Sequence, residues 1–465
     1  MKRKKVNSPA QLGFVALGCP KNLVDSEVML ARLGEAGFIV GADPDNADVV
    51  VINTCGFIEP ARQEALDAIR RAVRQKRRGR VGKVVVAGCL SQLWSERLAA
   101  EVDGIDAIVS LDERDAIGQF IQRLLHADDP SGASGPAASA DLAQDVGGCA
   151  DDRGRLRITP RHWAYLRISE GCDRACSFCT IPSIRGPFRS KPIEQIVSEA
   201  EELARDGVVE LILVAQDTTS YGRDLGLRDG LVRLLRRLEA IESVRWIRVM
   251  YLFASSVRDN LIDLMAASQK VLPYVDMPIQ HANDRILERM HRPDRRQTIA
   301  ALIERLRAAM PDVVLRTTVI VGFPGETDED FAELLEFIRW ARFDALGCFA
   351  YCAEPGTPAA TLPDAVPEPV REDRRHDLML AQQQIVAEKG RAMIGRELLC
   401  LIDEAHPDGT ACGRHYGQAP DIDGLCLFRT ASPGVGTFVP ARVVNADGYD
   451  LVVEPIEGCI PAPHP

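Results

Sequence analysis

The stretch Tyr165-Leu166-Arg167-Ile168-Ser169-Glu170-Gly171-Cys172-Asp173-Arg174-Ala175-Cys176-Ser177-Phe178-Cys179 decides the fold. It opens with strand character and then places three thiols within eight residues. A loop that compact can wrap three corners of an iron–sulfur cubane but cannot supply a fourth ligand. One iron is then left open to a small molecule, as the fourth position of a catalytic zinc is. A structural zinc loop is the competing reading. The C-x-x-x-C-x-x-C spacing, with an aromatic before the last Cys, argues against it.

Outward from this loop the chain alternates strand and helix. Strands are expected at 165–169, 211–215, 246–252, 274–277, 314–321 and 346–351, with helical patterns at 193–204, 231–241, 299–310 and 328–341 between them. Six such units predict a partial (β/α)6 barrel related to the eight-fold design. Upstream, short apolar runs at 14–17, 49–52, 84–87 and 105–109 alternate with helical patterns at 23–33, 61–74, from 92 onward and at 112–125. Nearly unbroken apolar runs fit parallel strands covered on both faces, so an N-terminal doubly wound parallel α/β domain is expected. After residue 388, Gly, Pro and Asp punctuate short apolar stretches at 397–402, 424–428, 437–444 and 449–453. That pattern predicts a small antiparallel β-barrel. The segment 127–150 is rich in Ala, Ser, Gly, Pro and Asp, and reads as a flexible linker. The expected domains are 9–126, 158–390 and 391–460, joined by a linker over 127–157.

Bulk properties agree. A chain of 465 residues is about three domains long at about 150 residues each. No run of eighteen apolar residues occurs, so no membrane span is expected. The basic start, residues 1–5, has no apolar run after it, so a cytosolic protein is expected. Thirteen cysteines in a reducing compartment call for a metal or redox explanation. Three of them share one setting. Cys19, Cys55 and Cys89 each fall just past a predicted strand and beside a glycine, Gly18, Gly56 or Gly88. In an open α/β sheet that edge binds ligands, so the three are read as a second three-cysteine cluster. Three buried apolar cysteines are the plain alternative. Cys149, Cys348, Cys352, Cys400, Cys412, Cys426 and Cys459 are read as structural or incidental.

On these residues the chain resembles the methylthiotransferase family of radical S-adenosylmethionine (SAM) enzymes, over nearly its whole length. Leu17-Gly18-Cys19-Pro20-Lys21-Asn22, Asn53-Thr54-Cys55-Gly56 and Gly88-Cys89-Leu90 look like the family's first, second and third cluster motifs. These variants look like the branch that modifies an aspartate of the twelfth small-subunit ribosomal protein. Members that modify tRNA usually carry a Gln-Met-Asn first motif, which is absent here. Ala215-Gln216-Asp217-Thr218-Thr219, Val275-Asp276-Met277-Pro278-Ile279-Gln280-His281 and Val321-Gly322-Phe323-Pro324-Gly325-Glu326 are further matching segments. The last domain is similar to a TRAM domain, with Ala419-Pro420-Asp421-Ile422-Asp423-Gly424 in that branch's form. The linker is longer, the last domain richer in Cys and the tail richer in Pro than in the family.

The resemblance implies two [4Fe-4S] clusters, one on Cys172, Cys176 and Cys179 and one on Cys19, Cys55 and Cys89. It implies SAM in two roles, as methyl donor and as source of a 5′-deoxyadenosyl radical that takes hydrogen from the aspartate β-carbon. Barrels place binding groups at the carboxyl ends of strands, so Gln216, Asp217, Gln280, Gly322, Gly325 and Glu326 are the SAM-site candidates. Each of these also suits a turn or helix cap, and His281 suits a structural role. The implied partners are a ribosomal protein, on or off the small subunit, and an electron donor such as a flavodoxin or ferredoxin. Contact with nucleic acid is expected to be secondary. The net charge of −11 argues against a general nucleic-acid grip. The basic run Arg70, Arg71, Arg74, Lys76, Arg77, Arg78, Arg80 and Lys83 reads as a solvated helix end, or as an RNA contact. Residues 391–465 hold five Arg and ten acids, −5, which suits a basic protein partner better than RNA. The rivals are a tRNA adenosine methylthiotransferase with the same chemistry, a two-cluster electron carrier and an RNA-binding protein with structural clusters.

Overall fold

A computed structural model of the protein describes residues 9–126, 150–429 and 433–456. Most of the expected linker, together with Cys149 and Cys459, lies outside the described residues. The chain divides into two compact units. One is built on the chain up to Ile158 with short returns at Glu170–Cys172 and Thr180–Arg189; the other holds the rest.

The first unit runs β1 (Gln11–Ala16), α1 (Pro20–Glu35), β2 (Ile39–Ala42), β3 (Val49–Thr54), α2 (Glu59–Arg77), β4 (Lys83–Gly88), α3 (Cys89–Glu101), β5 (Ala107–Ile108) and α4 (Ile117–His126). Its strands form a wholly parallel sheet in the order β2-β1-β3-β4-β5. Alternate residues of the central strands serve opposite helical layers. Val50, Ile52, Val84 and Val86 pack with Leu66 and Ile69 of α2 and Leu98 of α3. Val49, Val51 and Val85 pack with Met29 and Leu33 of α1 and Ile117 and Ile121 of α4. Each such side chain, fully buried, contributes roughly 1.5–3 kcal/mol relative to exposure. The sequence reading missed β2, a half-exposed edge strand of four residues interrupted by Gly41. Residues 150–157, assigned to the linker from composition, instead pack on α1. Arg155 pairs with Glu27 at 3.2 Å, and the Leu156 N–H donates to the Glu27 carbonyl at 3.0 Å.

The second unit begins with β6 (Trp163–Arg167). Two short strands, β7 (Ser169–Glu170) and β8 (Arg189–Ser190), flank α5 (Ile181–Arg185) along the chain, and α5 itself falls in the first unit. Then come α6 (Ile193–Arg205), β9 (Glu210–Val214), α7 (Gly230–Glu239), β10 (Trp246–Val249), α8 (Asp259–Ala267), β11 (Val271–Asp276), α9 (Asp284–Arg289), α10 (Arg296–Ala309), β12 (Val314–Val321), α11 (Asp328–Ala341), β13 (Ala345–Ala350) and α12 (Glu368–Met393). Six parallel strands in the order β13-β12-β11-β10-β9-β6 make the expected partial barrel. Its apolar core runs from Leu166, Leu213 and Val249 through Val275 and Leu315 to the surrounding helices.

The last five strands, β14 (Glu397–Ala405), β15 (Ala411–His415), β16 (Cys426–Phe428), β17 (Phe438–Asp447) and β18 (Asp450–Pro455), close into a barrel in the order β14-β15-β16-β18-β17. It is not wholly antiparallel, because β16 and β18 run parallel. β15 escaped the sequence reading because its buried residues include Arg414 and His415. Both belong to a polar seam against the parallel barrel. Arg414 donates to Glu210 at 2.7 Å and to Asp403 at 2.7 and 2.9 Å. Arg248 donates to the other Glu210 oxygen at 2.9 Å, and His162 meets Asp403 at 2.7 Å. Tyr274 donates to Asp423 at 2.7 Å, and Trp246 packs edge-on against Phe438 with ring centroids 4.9 Å apart.

This seam takes two of the ten acids, and Arg414 with them, out of the outward charge of the last domain. Asp403 and Asp423 are half-buried partners of Arg414, His162, Tyr274 and Arg316 rather than part of an outward field. Counting formal charges along the sequence could not separate acids that face solvent from acids already neutralised inside. The basic run is likewise largely engaged: Arg70 with Asp67, Arg71 with Asp45, Lys76 and Lys83 with Asp106, and Arg77 with Asp103. Among the described residues no helix is long and apolar enough to cross a membrane.

Candidate cluster sites and the carboxyl rim of the barrel

Cys19, Cys55 and Cys89 follow β1, β3 and β4, which are neighbours in the sheet. The register pairs Ala16 with Asn53 and Thr54 with Gly88, so the three strands end level and present their thiols on one rim. Cys19 is the N-cap of α1, with Pro20 in its first turn, and Cys89 opens α3. Helix N-termini favour anions, hence thiolates.

Side chains of the surrounding motifs tie these loops together. Asn22 reaches the Leu17 carbonyl at 2.5 Å and the Thr54 carbonyl at 3.3 Å. Asn53 donates to the Asn22 carbonyl at 2.9 Å and to Ser26 Oγ at 2.7 Å. Thr54 donates to the Ala87 carbonyl at 2.6 Å. Two glycines have no substitute. Gly18 has φ +94° and a Cβ there would lie 2.8 Å from Cys55 Cβ; Gly88 has φ +95° and its Cβ would strike Asn53 and the Thr54 backbone. Gly18 thus brings backbone against the Cys55 side chain, and Gly88 brings it against the end of β3.

Burial pushes the Cys55 thiol up, and the nearby Cys19 adds to the shift. Burial pushes Cys89 up to about 12, although the Arg185 guanidinium opposes it. Anionic thiolates on this rim therefore need a compensating positive charge, which a metal cluster supplies. Among the described residues no three His, Cys, Asp or Glu side chains already converge as on a single ion. Three thiols on one rim can take three corners of a cubane, leaving the fourth iron open. All eleven cysteines among the described residues are free thiols.

In the second triad, Cys172 is buried while Cys176 and Cys179 are partly exposed. The Cys172 N–H donates to the Gly186 carbonyl, and the Cys179 N–H closes a turn on the Cys176 carbonyl at 3.2 Å. Arg174, inside the same loop, was not singled out from the sequence. It donates to Asp217 at 2.7 Å and to Ser256 at 2.8 Å, and stacks 3.9 Å from the Phe253 ring centroid.

Gln216 and Asp217 do lie just past β9, and Gln280 and His281 just past β11. Asp217 caps the turn Thr218–Ser220 while accepting from Arg174. Gln280 has φ +69° and extends the ladder beside Val319. Gly322 and Gly325 both have positive φ in the turn after β12. Glu326 accepts from Arg374 at 2.9 Å and from the Phe323 N–H at 3.3 Å, and lies 3.5 Å from His281 Nε2. The structure brings Gln280, His281 and Glu326 together at the adjoining ends of β11 and β12. Asp217 and Glu326 hold turns in place, and Gln216 and the Gly322–Gly325 turn follow β9 and β12 at the same carboxyl end of the sheet.

Comparison with known proteins agrees with this layout. Residues 11–110 match the uncharacterized protein family UPF0004, residues 166–338 the radical SAM superfamily, and residues 394–456 the TRAM domain. The radical SAM methyltransferase TsrM of Kitasatospora setae, solved with tryptophan and a SAM analogue, has the same fold (TM-score 0.56, 14% identity, 85% of this chain and 79% of that one). The chain is therefore a radical SAM enzyme, and SAM and [4Fe-4S] clusters are its cofactors. It is 42% identical over 454 residues to the ribosomal protein uS12 methylthiotransferase RimO of Symbiobacterium thermophilum, covering 97% of this chain and 92% of that protein. The namesake of Geobacter sulfurreducens is 40% identical over 451 residues, covering 96% and 99%. The chain belongs to the uS12 methylthiotransferase family.

Proposed function

We infer that this enzyme places a methylthio group on the β-carbon of an aspartate in ribosomal protein uS12. The observation that carries the reading is identity of 40–42% to uS12 methylthiotransferases over nearly the whole chain. The same relatives count against the tRNA-directed alternative. An electron carrier would have no need of a partial barrel with a built carboxyl rim.

Cys172, Cys176 and Cys179 would hold the cluster that binds SAM, and Cys19, Cys55 and Cys89 the cluster that carries the sulfur to be transferred. When bound, SAM and the clusters would supply the methyl group and the one-electron cleavage of the sulfonium. The chain's own part is to hold and orient. Asn22, Asn53 and Thr54 fix the three loops of the N-terminal rim. Gln216 and Gln280 offer amides to SAM, and the Gly322–Gly325 turn offers backbone at close approach. Arg174 and Asp217 clamp the cysteine loop to the end of β9. A flavodoxin or ferredoxin is the expected electron donor. The test is the mass of uS12 and of tRNA nucleosides from cells lacking the gene. The expected result is uS12 lighter by one methylthio group and unchanged tRNA; unmodified tRNA with normal uS12 would reverse the substrate assignment.

A further inference from the structure

Arg185 ends α5, six residues after Cys179 in the chain, and its side chain is 3% exposed. Its Nη1 donates to both oxygens of Glu170 at 3.1 Å. Its Nη2 donates to Asp25 at 2.9 Å and to the sulfur of Cys89 at 3.2 Å. Asp25 also accepts from Arg114 at 2.8 Å, so neither carboxylate can swing away without stranding a buried cation. A guanidinium that needed only charge balance already has it in Glu170 and Asp25. The N–H aimed at Cys89 is a further contact, made to one member of the triad by a group locked from both sides. Hydrogen bonds to ligand sulfur, and fixed charge beside it, are what set an iron–sulfur cluster's stability and potential.

We propose that Arg185 is a positioning residue for the Cys19–Cys55–Cys89 cluster: it fixes the Cys89 thiolate and, by stabilising an added electron, raises that cluster's reduction potential. The inference rests on the reading of these three thiols as a cluster site. Nothing in the sequence marked the residue, because its role depends on α5 packing against α3, far apart in the chain.

The test uses the full chain carrying Cys172→Ala, Cys176→Ala and Cys179→Ala, so that only the N-terminal cluster forms. After anaerobic reconstitution with iron and sulfide, this parent should hold about four irons. A parent without iron overturns the triad reading and this inference with it. Arg185→Met is then added together with Glu170→Gln, which keeps the buried charge balanced. The expected result is at least tenfold faster iron loss to a chelator. The dithionite-poised midpoint should fall by a tenfold change in the one-electron equilibrium, about 59 mV. Arg185→Lys, which keeps the charge but loses the planar fork, should recover most of the midpoint while still releasing iron faster. If the Met/Gln variant matches the parent in iron release, midpoint and electron paramagnetic resonance, Arg185 is only a buried structural cation. Should circular dichroism show that variant unfolded, the Lys variant decides: parent-like release and spectrum reject the proposal, and faster release supports it.

Discussion

Asn53 shows how much one buried amide can organise. Its side chain is fully buried, and its two donors span from the end of β3 to α1. Replacing it with Leu would leave the Asn22 carbonyl and Ser26 without these donors inside the protein, at a cost of about 1–3 kcal/mol. The expected reading is a lower denaturant midpoint at unchanged slope, with faster loss of iron from the Cys19 site. The resemblance pointed to Asn22 and Asn53 only as neighbours of cysteines; their function as ties depends on three loops that meet through sheet register. His415 makes a second residue-level case. Burial, helped by Arg248, Arg396 and Arg414, lowers its pKa from 6.5 to about 3. Below about pH 6.5 the unfolded chain takes up a proton that the folded chain refuses. Stability from this group is therefore full above that pH and is lost as pH falls toward 3, at up to about 1.4 kcal/mol per unit. His415→Asn, which can still accept from the Gly417 N–H, should flatten the fall in Tm between pH 6.5 and 4. An unchanged slope would assign the acid sensitivity of that range to groups other than His415, and Asp403 acts only at lower pH. Its carboxyl is held low by His162 and Arg414 despite burial, and its contribution is lost only when pH falls below the ordinary carboxylate range.

At the scale of elements, the sequence disclosed what repeats and hid what is singular. β3 and β4 were legible because buried parallel strands are continuous apolar runs. α12 was not predicted, although it is 26 residues long, because its buried positions include Arg374 and Gln382 among few apolar ones. β15 was missed for the same reason: its inward Arg414 belongs to a polar seam that no periodicity announces. That seam makes a prediction for the closed barrel. Arg414 is 1% exposed and faces two carboxylates, Glu210 and Asp403. Arg414→Met would leave both short of a cation, and removing one partner of a buried pair costs about 3–5 kcal/mol. Limited proteolysis should then cut near residue 394 sooner than in the parent chain. Asp423→Lys belongs with this variant. It would break the Tyr274 hydrogen bond and face Arg316, so weaker substrate binding in it would report a displaced barrel rather than a lost surface charge.

For the whole molecule, the question is whether two three-cysteine sites on one chain do separable work. Both readings come from the sequence, since thiols in a tight loop and thiols after successive strands are patterns of order and spacing. The SAM-site candidates are less sharply marked, because the rim of a barrel offers caps and turns along with ligands, and Asp217 and Glu326 also hold turns. Separation follows from how the sites are built. The N-terminal triad is tied by Asn22, Asn53 and Thr54, all in the unit that carries it. The loop that carries Cys176 and Cys179 is tied to the end of β9 through Arg174. Replacing Cys19, Cys55 and Cys89 with Ala should therefore halve the iron, from about eight to about four per chain, without unfolding the barrel. That variant should still release 5′-deoxyadenosine from SAM when reduced, yet transfer no methylthio group to uS12. The reverse triple, at Cys172, Cys176 and Cys179, should keep four irons and release none of the nucleoside. Deoxyadenosine formation by the second variant would place the radical site elsewhere. Full transfer by the first would return Cys19, Cys55 and Cys89 to the status of packed core thiols.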